Sequence, residues 1–213
     1  MSRLLFRGTR LLDPESGLDS PGDLLVEGHR IAAVGGNLAA AARDAETVEA
    51  DGLCLGPGLV DMRVQLREPG AEHMESIETG GRAAAAGGVT TMVALPNTDP
   101  PVDDVSVVEF LARRAREAKL AKIHTYAAAT KGMKGRELTE MGLLAEAGAL
   151  AFTDSLRAIA DALVMRRALS YARTFDLLII QHPEEPSLAA GGAMTEGEMA
   201  TRLGLLASPR LPR

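Results

Sequence analysis

Two patterns of apolar and polar positions divide the chain. Up to about residue 55, apolar positions come in short runs broken by turn residues. Leu4–Leu12 reads as a strand ended by the loop Asp13-Pro14-Glu15-Ser16-Gly17. Asp23–Glu27 and Arg30–Val34 flank Gly28-His29 and predict a hairpin. Val48 to Leu55 gives two short extended pieces around the turn signal Asp51-Gly52. After Gly56-Pro57-Gly58 the pattern changes. Apolar runs at Leu59–Leu66, Val89–Leu95, Ile123–Ala129, Ala149–Thr153 and Leu177–Gln181 predict five strands. Helical patterns fill Ser76–Ala86, Val105–Lys119, Leu138–Ala147 and Ala160–Thr174 between them. Strand and helix alternate at intervals of about 30 residues, so the expectation is a series of βα units on a parallel sheet. Val89–Leu95 is apolar almost throughout, as befits a strand covered on both faces. The boundaries that follow are a small sheet module at 1–55 and the βα units at 56–213.

Composition narrows the class. The chain has 213 residues, 46% hydrophobic and 24% charged, which predicts a folded globular protein. Aromatics are only 3%, so the core must be aliphatic, with helices packed closely on strands. A net charge of -6 argues against a nucleic-acid surface, which carries a basic patch. It leaves small anionic ligands open, because local charge decides those. One cysteine, Cys54, rules out an internal disulfide framework and suits a reducing compartment. The apolar run at the start is interrupted at Arg7, too short for a leader, and no run of about 18 apolar residues spans a membrane. A cytoplasmic protein with no membrane partner is expected.

The segment Gly56-Pro57-Gly58-Leu59-Val60-Asp61-Met62-Arg63-Val64-Gln65-Leu66-Arg67-Glu68-Pro69-Gly70 resembles the signature of the amidohydrolase superfamily, and of its dihydroorotase branch most of all. Gly80-Gly81-Arg82, Gly87-Gly88-Val89-Thr90-Thr91, Pro96-Asn97-Thr98-Asp99-Pro100-Pro101, Thr130-Lys131-Gly132, Ala151-Phe152-Thr153-Asp154 and Glu185-Pro186-Ser187-Leu188 extend the resemblance in order. It implies a (β/α)8 TIM barrel with its site at the C-terminal strand ends, of which about the first five βα units are present here. It also implies a small β-sandwich, to which residues 1–55 contribute. Members of the family open or close a cyclic amide with one or two zinc ions, which lower the pKa of bound water and polarise the carbonyl.

The departures lie at the metal. Where the family has His-x-His at the end of the first strand, this chain has Arg63 and Gln65. Residues at i and i+2 point the same way from a strand, so both ligands of one ion are replaced. A guanidinium has no lone pair to offer, and an amide is a poor zinc ligand beside imidazole. The aligned position of the bridging carboxylate is Ser155; a shift of one residue would make it Asp154. His182 matches a metal-binding histidine at the end of the fifth strand, with a polar strand cap as its other reading. The tail Leu203–Arg213 begins on the family pattern and then leaves it, so a C-terminal truncation is expected. No zinc and no catalytic residue are expected. The substrate corner is better kept: Arg67 matches the arginine that holds the substrate carboxylate, and Asn97 an asparagine beside it. Their other readings are an Arg67 pair with Glu68 or Asp61, and Asn97 as a helix cap before Pro100. His29 and His73 read as surface, His124 as core or barrel mouth, Lys131 as a loop lysine, and Arg113 to Lys119 as a solvated helix face.

The expectation from this resemblance is a catalytically silent dihydroorotase-like protein of pyrimidine biosynthesis, a scaffold partner of aspartate carbamoyltransferase and part of an oligomer. The alternatives are an active dihydroorotase interconverting dihydroorotate and N-carbamoyl-L-aspartate, and a nonfunctional fragment.

Overall fold

The computed structural model of the chain describes residues 2–209, so the last four residues of the tail lie outside the described residues. Two compact units are present, Met1–Gly58 and Leu59–Arg213.

The first unit is one sheet of five strands: β1 (Arg3–Asp13), β2 (Leu18–Glu27), β3 (Arg30–Val34), β4 (Glu46–Glu49) and β5 (Cys54–Leu55). β1 is central. It pairs antiparallel with β2 and parallel with both β4 and β5, which follow one another along its other edge. Asp51-Gly52 is therefore a step between two strands of the same direction. Leu5, Leu25 and Ala42 form the small core. The second layer of the expected sandwich is not among the described residues. β2 begins five residues earlier than its pattern suggests, with Pro21 opposite Arg10. β3 pairs only with Leu24–Glu27, so β2 is nearly an edge strand at Pro21, where a missing N–H is tolerated. The register of β1 slips between Phe6 and Thr9. There the buried Asp23 carboxylate accepts from the Gly8 N–H (3.0 Å) and the Leu38 N–H (2.8 Å), tying the slip to the following loop.

The second unit carries four parallel strands in sequence order: β6 (Leu59–Val64), β7 (Val89–Ala94), β8 (Lys122–Ala127) and β9 (Ala149–Phe152). The predicted fifth strand is reduced to a single parallel bridge between Phe152 and Ile179. It is held by Phe152 N–H to Leu178 O (2.9 Å) and Ile180 N–H to Phe152 O (2.8 Å). The helices are α1 (Ile77–Ala86), α2 (Val105–Ala118), α3 (Met141–Glu146) and α4 (Ala162–Thr174). Side chains divide between the two faces of the sheet by alternation. Met92, Ala94, Ala127 and Phe152 pack under the helices with Ile77, Val108, Leu144 and Ala168. Val93, Leu95, Tyr126 and Ala151 form a smaller cluster.

Caps place the helices. Ser76 accepts from the Thr79 N–H (3.1 Å) in a capping box; Asp104 and Asp161 cap α2 and α4. α3 is shorter than its pattern because residues 138–140 are used elsewhere. Leu138 bridges Thr130, and the Thr139 hydroxyl donates to Ala128 O (2.7 Å). Beyond Gln181, where the sequence pattern predicts no element, lie α5 (Pro186–Ala189), β10 (Met194–Thr195), α6 (Glu198–Leu203) and β11 (Ala207–Ser208), with β10 and β11 parallel. Among the described residues no helix is long and apolar enough to cross a membrane.

Candidate functional site

A cavity of about 350 Å³ opens at the C-terminal side of the parallel strands. Arg63, Ser155 and His182 line it together, with Leu95, Tyr126 and Ile180 among its apolar wall. Three of the sequence-predicted positions thus meet at one place.

Gln65 does not join them. Asp61 aligns with Met92 and Val64 with Ala94, so β6 slips in register between these positions. The Asp61 carboxylate accepts from the Arg63 N–H (3.0 Å) at the slip. The alternation that would put residues 63 and 65 on one face is therefore broken. Arg63 lines the cavity, while the Gln65 side-chain oxygen accepts from the Asn97 amide (3.1 Å).

Asp154 and Ser155 have separate roles. Asp154 is buried and accepts from both the N–H (2.9 Å) and the hydroxyl of Thr130. The Thr130 hydroxyl in turn accepts from the Gly135 N–H (2.8 Å), so Asp154 fastens the 130–135 turn to β9. Burial pushes the Asp154 carboxyl above the usual range, against the opposing effect of the Thr130 hydrogen bonds. Ser155 follows in the left-handed region, φ 63°, with its N–H donating to the Thr153 hydroxyl (3.1 Å). It is 4% exposed, and its own hydroxyl is buried without a partner. Ser155 is among the residues lining the cavity, while the aspartate beside it is occupied with the fold.

His182 has its Nε2 3.7 Å from the Glu184 carboxylate, and its Nδ1 is buried without a partner. Tyr126, on β8, was not distinguished by the sequence pattern, because it sits inside an apolar run. Its phenol is pushed up by burial and so stays protonated. Among the described residues, no group of three or more His, Cys, Asp or Glu side chains is placed to hold a metal ion.

The substrate corner differs from both of its readings. Arg67 does not pair with Glu68 or Asp61, and its guanidinium makes no hydrogen bond or ion pair to another described residue. Glu68 is buried and points away: it accepts from Arg114 Nε (2.6 Å) on α2 and from the Ile77 N–H (2.9 Å) at the start of α1. Arg114 therefore leaves the predicted solvated face of α2, and its guanidinium is held further toward the charged form by Glu68 first and Glu117 second. Asn97 caps no helix; Asp104 does that for α2. The loop carrying Arg67 is laced to the loop carrying Asn97 by Leu95 N–H to Val64 O (2.8 Å) and Asp99 N–H to Pro69 O (3.0 Å). Gly70, at φ 106°, is required there, since a Cβ would stand 2.4 Å from Asp99 O. His29 and His73 are exposed as expected. His124 is exposed as well, on the N-terminal half of β8, and is neither core nor mouth. Lys131 is exposed and paired with Glu137, but it opens a short 3-10 turn, Lys131–Met133, in place of the expected loop.

Solved structures define the class. The fold of the chain is similar to that of solved hydantoinases and of a solved dihydroorotase. The L-hydantoinase of Arthrobacter aurescens matches with TM-score 0.69 at 21% identity, over 88% of this chain and 42% of that one. A dihydroorotase crystal structure matches with TM-score 0.60 at 16% identity, over 87% of this chain and 52% of that one. The fold is thus the α/β fold of these solved structures, with the parallel sheet present in part. The Dihydro-orotase-like family profile covers residues 52–210, and the chain belongs to that family. The dihydroorotase of Syntrophotalea carbinolica is 44% identical over 207 residues, 97% of this chain and 48% of its own length. A dihydroorotase-like protein of Pseudomonas putida is 43% identical over 202 residues, 95% of this chain and 47% of its own. The chain spans about half the length of the curated relatives it matches.

Proposed function

We propose that this chain acts in pyrimidine biosynthesis in the cytoplasm as a dihydroorotase-like protein without catalytic zinc, and that it serves as a scaffold partner of aspartate carbamoyltransferase. The observation that carries this reading is Arg63 in the cavity, at a position where the family has a zinc-binding histidine. Zinc does not fit the donor set. A permanently protonated guanidinium repels the ion and offers it no lone pair. Gln65 is engaged with Asn97, Asp154 with Thr130, and only His182 remains as an imidazole donor. The fold-bearing features persist around this changed centre: the Glu68 cross-link, the Gly70 contact and the capped helices. A scaffold needs those and not the ion.

The test has two arms. Elemental analysis of the purified protein, with a carbamoyl-aspartate cyclisation assay, is expected to find no stoichiometric zinc and no turnover. Zinc and turnover together would establish the active hydrolase instead. Co-purification with aspartate carbamoyltransferase is expected to give a complex at micromolar concentrations; its absence would remove the scaffold role.

A further inference from the structure

Helix α4 has a core face and an outer face of different chemistry. Val164, Ala168 and Ala172 recur every fourth residue and are buried. The outer face carries Ala162, Arg166, Leu169, Ser170 and Arg173, which with Met165 line a shallow groove of about 420 Å³ along the helix. Leu163 and Leu169 are each more than half exposed. α1 and α2 pair exposed arginines within the helix, Arg82 with Glu78 and Arg114 with Glu117. α4 holds Arg166, Arg167 and Arg173 and has no acidic residue between Ala162 and Thr174. Among the described residues, none of these three guanidinium groups makes a hydrogen bond or an ion pair. The chain as a whole has a net charge of -6, so this basic and apolar stripe runs against its overall charge.

We infer that the outer face of α4 is a docking surface for an amphipathic helix of a protein partner, one that presents two carboxylates two turns apart with an apolar residue between them. Arg166, Leu169 and Arg173 follow one another along the groove at intervals of three and four. The arginines are thus separated by ~10.5 Å along the axis, and a helix laid in the groove meets them at the same spacing. Each guanidinium takes a carboxylate as a fork of two donors, and Leu163, Met165 and Leu169 supply apolar contact. Two other occupants fit less well. A second copy meeting α4 face to face sets arginine against arginine. An acidic membrane gains about fivefold from each basic side chain, about a hundredfold from three, and repels the rest of a chain of net charge -6. The inference rests on neither the cavity at the strand ends nor the scaffold role.

The experiment titrates the whole chain against a labelled helical peptide designed with glutamates at i and i+7 about a row of leucines, followed by fluorescence anisotropy. The peptide is expected to bind, and to bind more weakly as salt is raised. The same peptide with lysine in place of glutamate is expected not to bind. The double variant Arg166→Glu with Arg173→Glu should weaken the glutamate peptide about tenfold or more and should bind the lysine peptide instead. An unfolded chain cannot make that exchange of preference. Arg30→Glu, on β3, should leave both titrations unchanged. Any of four results would overturn the inference: no binding of the glutamate peptide, equal binding of the two peptides, loss of binding in the double variant without the exchange, or binding to phosphatidylserine vesicles that the double variant abolishes. A solution mass that falls in the double variant would give the face to a second copy and overturn it as well. None of these measures zinc, turnover or the transferase, so its failure and that of the proposed function are told apart.

Discussion

The Asp154 carboxylate is committed to Thr130, and its replacement separates hydrogen bonding from charge. Asp154→Ala leaves the Thr130 N–H and hydroxyl unsatisfied in the interior and is expected to cost about 1–3 kcal/mol in urea unfolding. Asp154→Asn keeps an acceptor for the N–H and can donate to the hydroxyl. Its effect depends on pH. The folded-state pKa of Asp154 is raised by burial above 3.8. Below 3.8 both states hold the proton and pH has no effect through this group. As pH rises above that value the unfolded chain ionises first, so wild-type stability falls until the folded carboxyl also ionises. The asparagine variant lacks this loss. Its stability relative to wild type should improve as pH rises above 3.8, as measured by paired denaturation curves. Glu68 offers a second test. Glu68→Ala removes the acceptor for the Ile77 N–H and the partner of Arg114, and should cost about 1–3 kcal/mol. None of these pairings was legible in the sequence. Arg67 and Glu68 are neighbours in the chain, which suggested a local ion pair, yet the carboxylate finds Arg114 forty-six residues away.

Elements were legible wherever caps and periodicity agreed. The helical pattern Ser76–Ala86 matched α1 to one residue, its first residue being the cap, and Ser76→Ala should lower stability by about 1 kcal/mol in the same unfolding assay. Where a residue beyond the element competes for its backbone, the pattern misleads. Thr139 takes the first turn of α3 by bonding to Ala128. The strand predicted from Asp23 in fact begins at Leu18 and runs through Pro21, which β3 does not reach. The slip in β6 was not legible, because Leu59–Leu66 reads as one regular strand. The alternation argument placed Arg63 and Gln65 together; a two-residue period cannot show where a ladder slips. Arg63, Ser155 and His182 were picked out by family position, and the structure does bring them to one cavity. Tyr126 carried no signal beyond being one of two tyrosines in a chain poor in aromatics.

At the scale of the molecule, apolar surface is left uncovered. Met62 is 66% and Leu178 61% exposed, and among the described residues β6 pairs only with β7. An unpaired strand edge beside exposed apolar side chains favours association. Light scattering is therefore expected to show a mass that rises with concentration. A constant monomeric mass with one sharp thermal transition would contradict it. The βα order was legible from spacing, because each unit repeats locally, and the family frame from the motifs that resemble it. How far the sheet extends depends on pairings between distant segments, and the fifth segment's reduction to one bridge at Ile179 had no local signature.

The Glu68 cross-link has a consequence for Arg67. Leu66 and Glu68 are both buried, on either side of it, and Gly70 is locked against Asp99. The backbone that presents the guanidinium is tied down on both sides. A loop ordered only on contact would surrender about 1–2 kcal/mol of backbone freedom per residue. An anion reaching Arg67 restrains only the rotors of one side chain, about 0.5–1.5 kcal/mol. The arginine is thus held on a backbone that is already fixed at both of its neighbours.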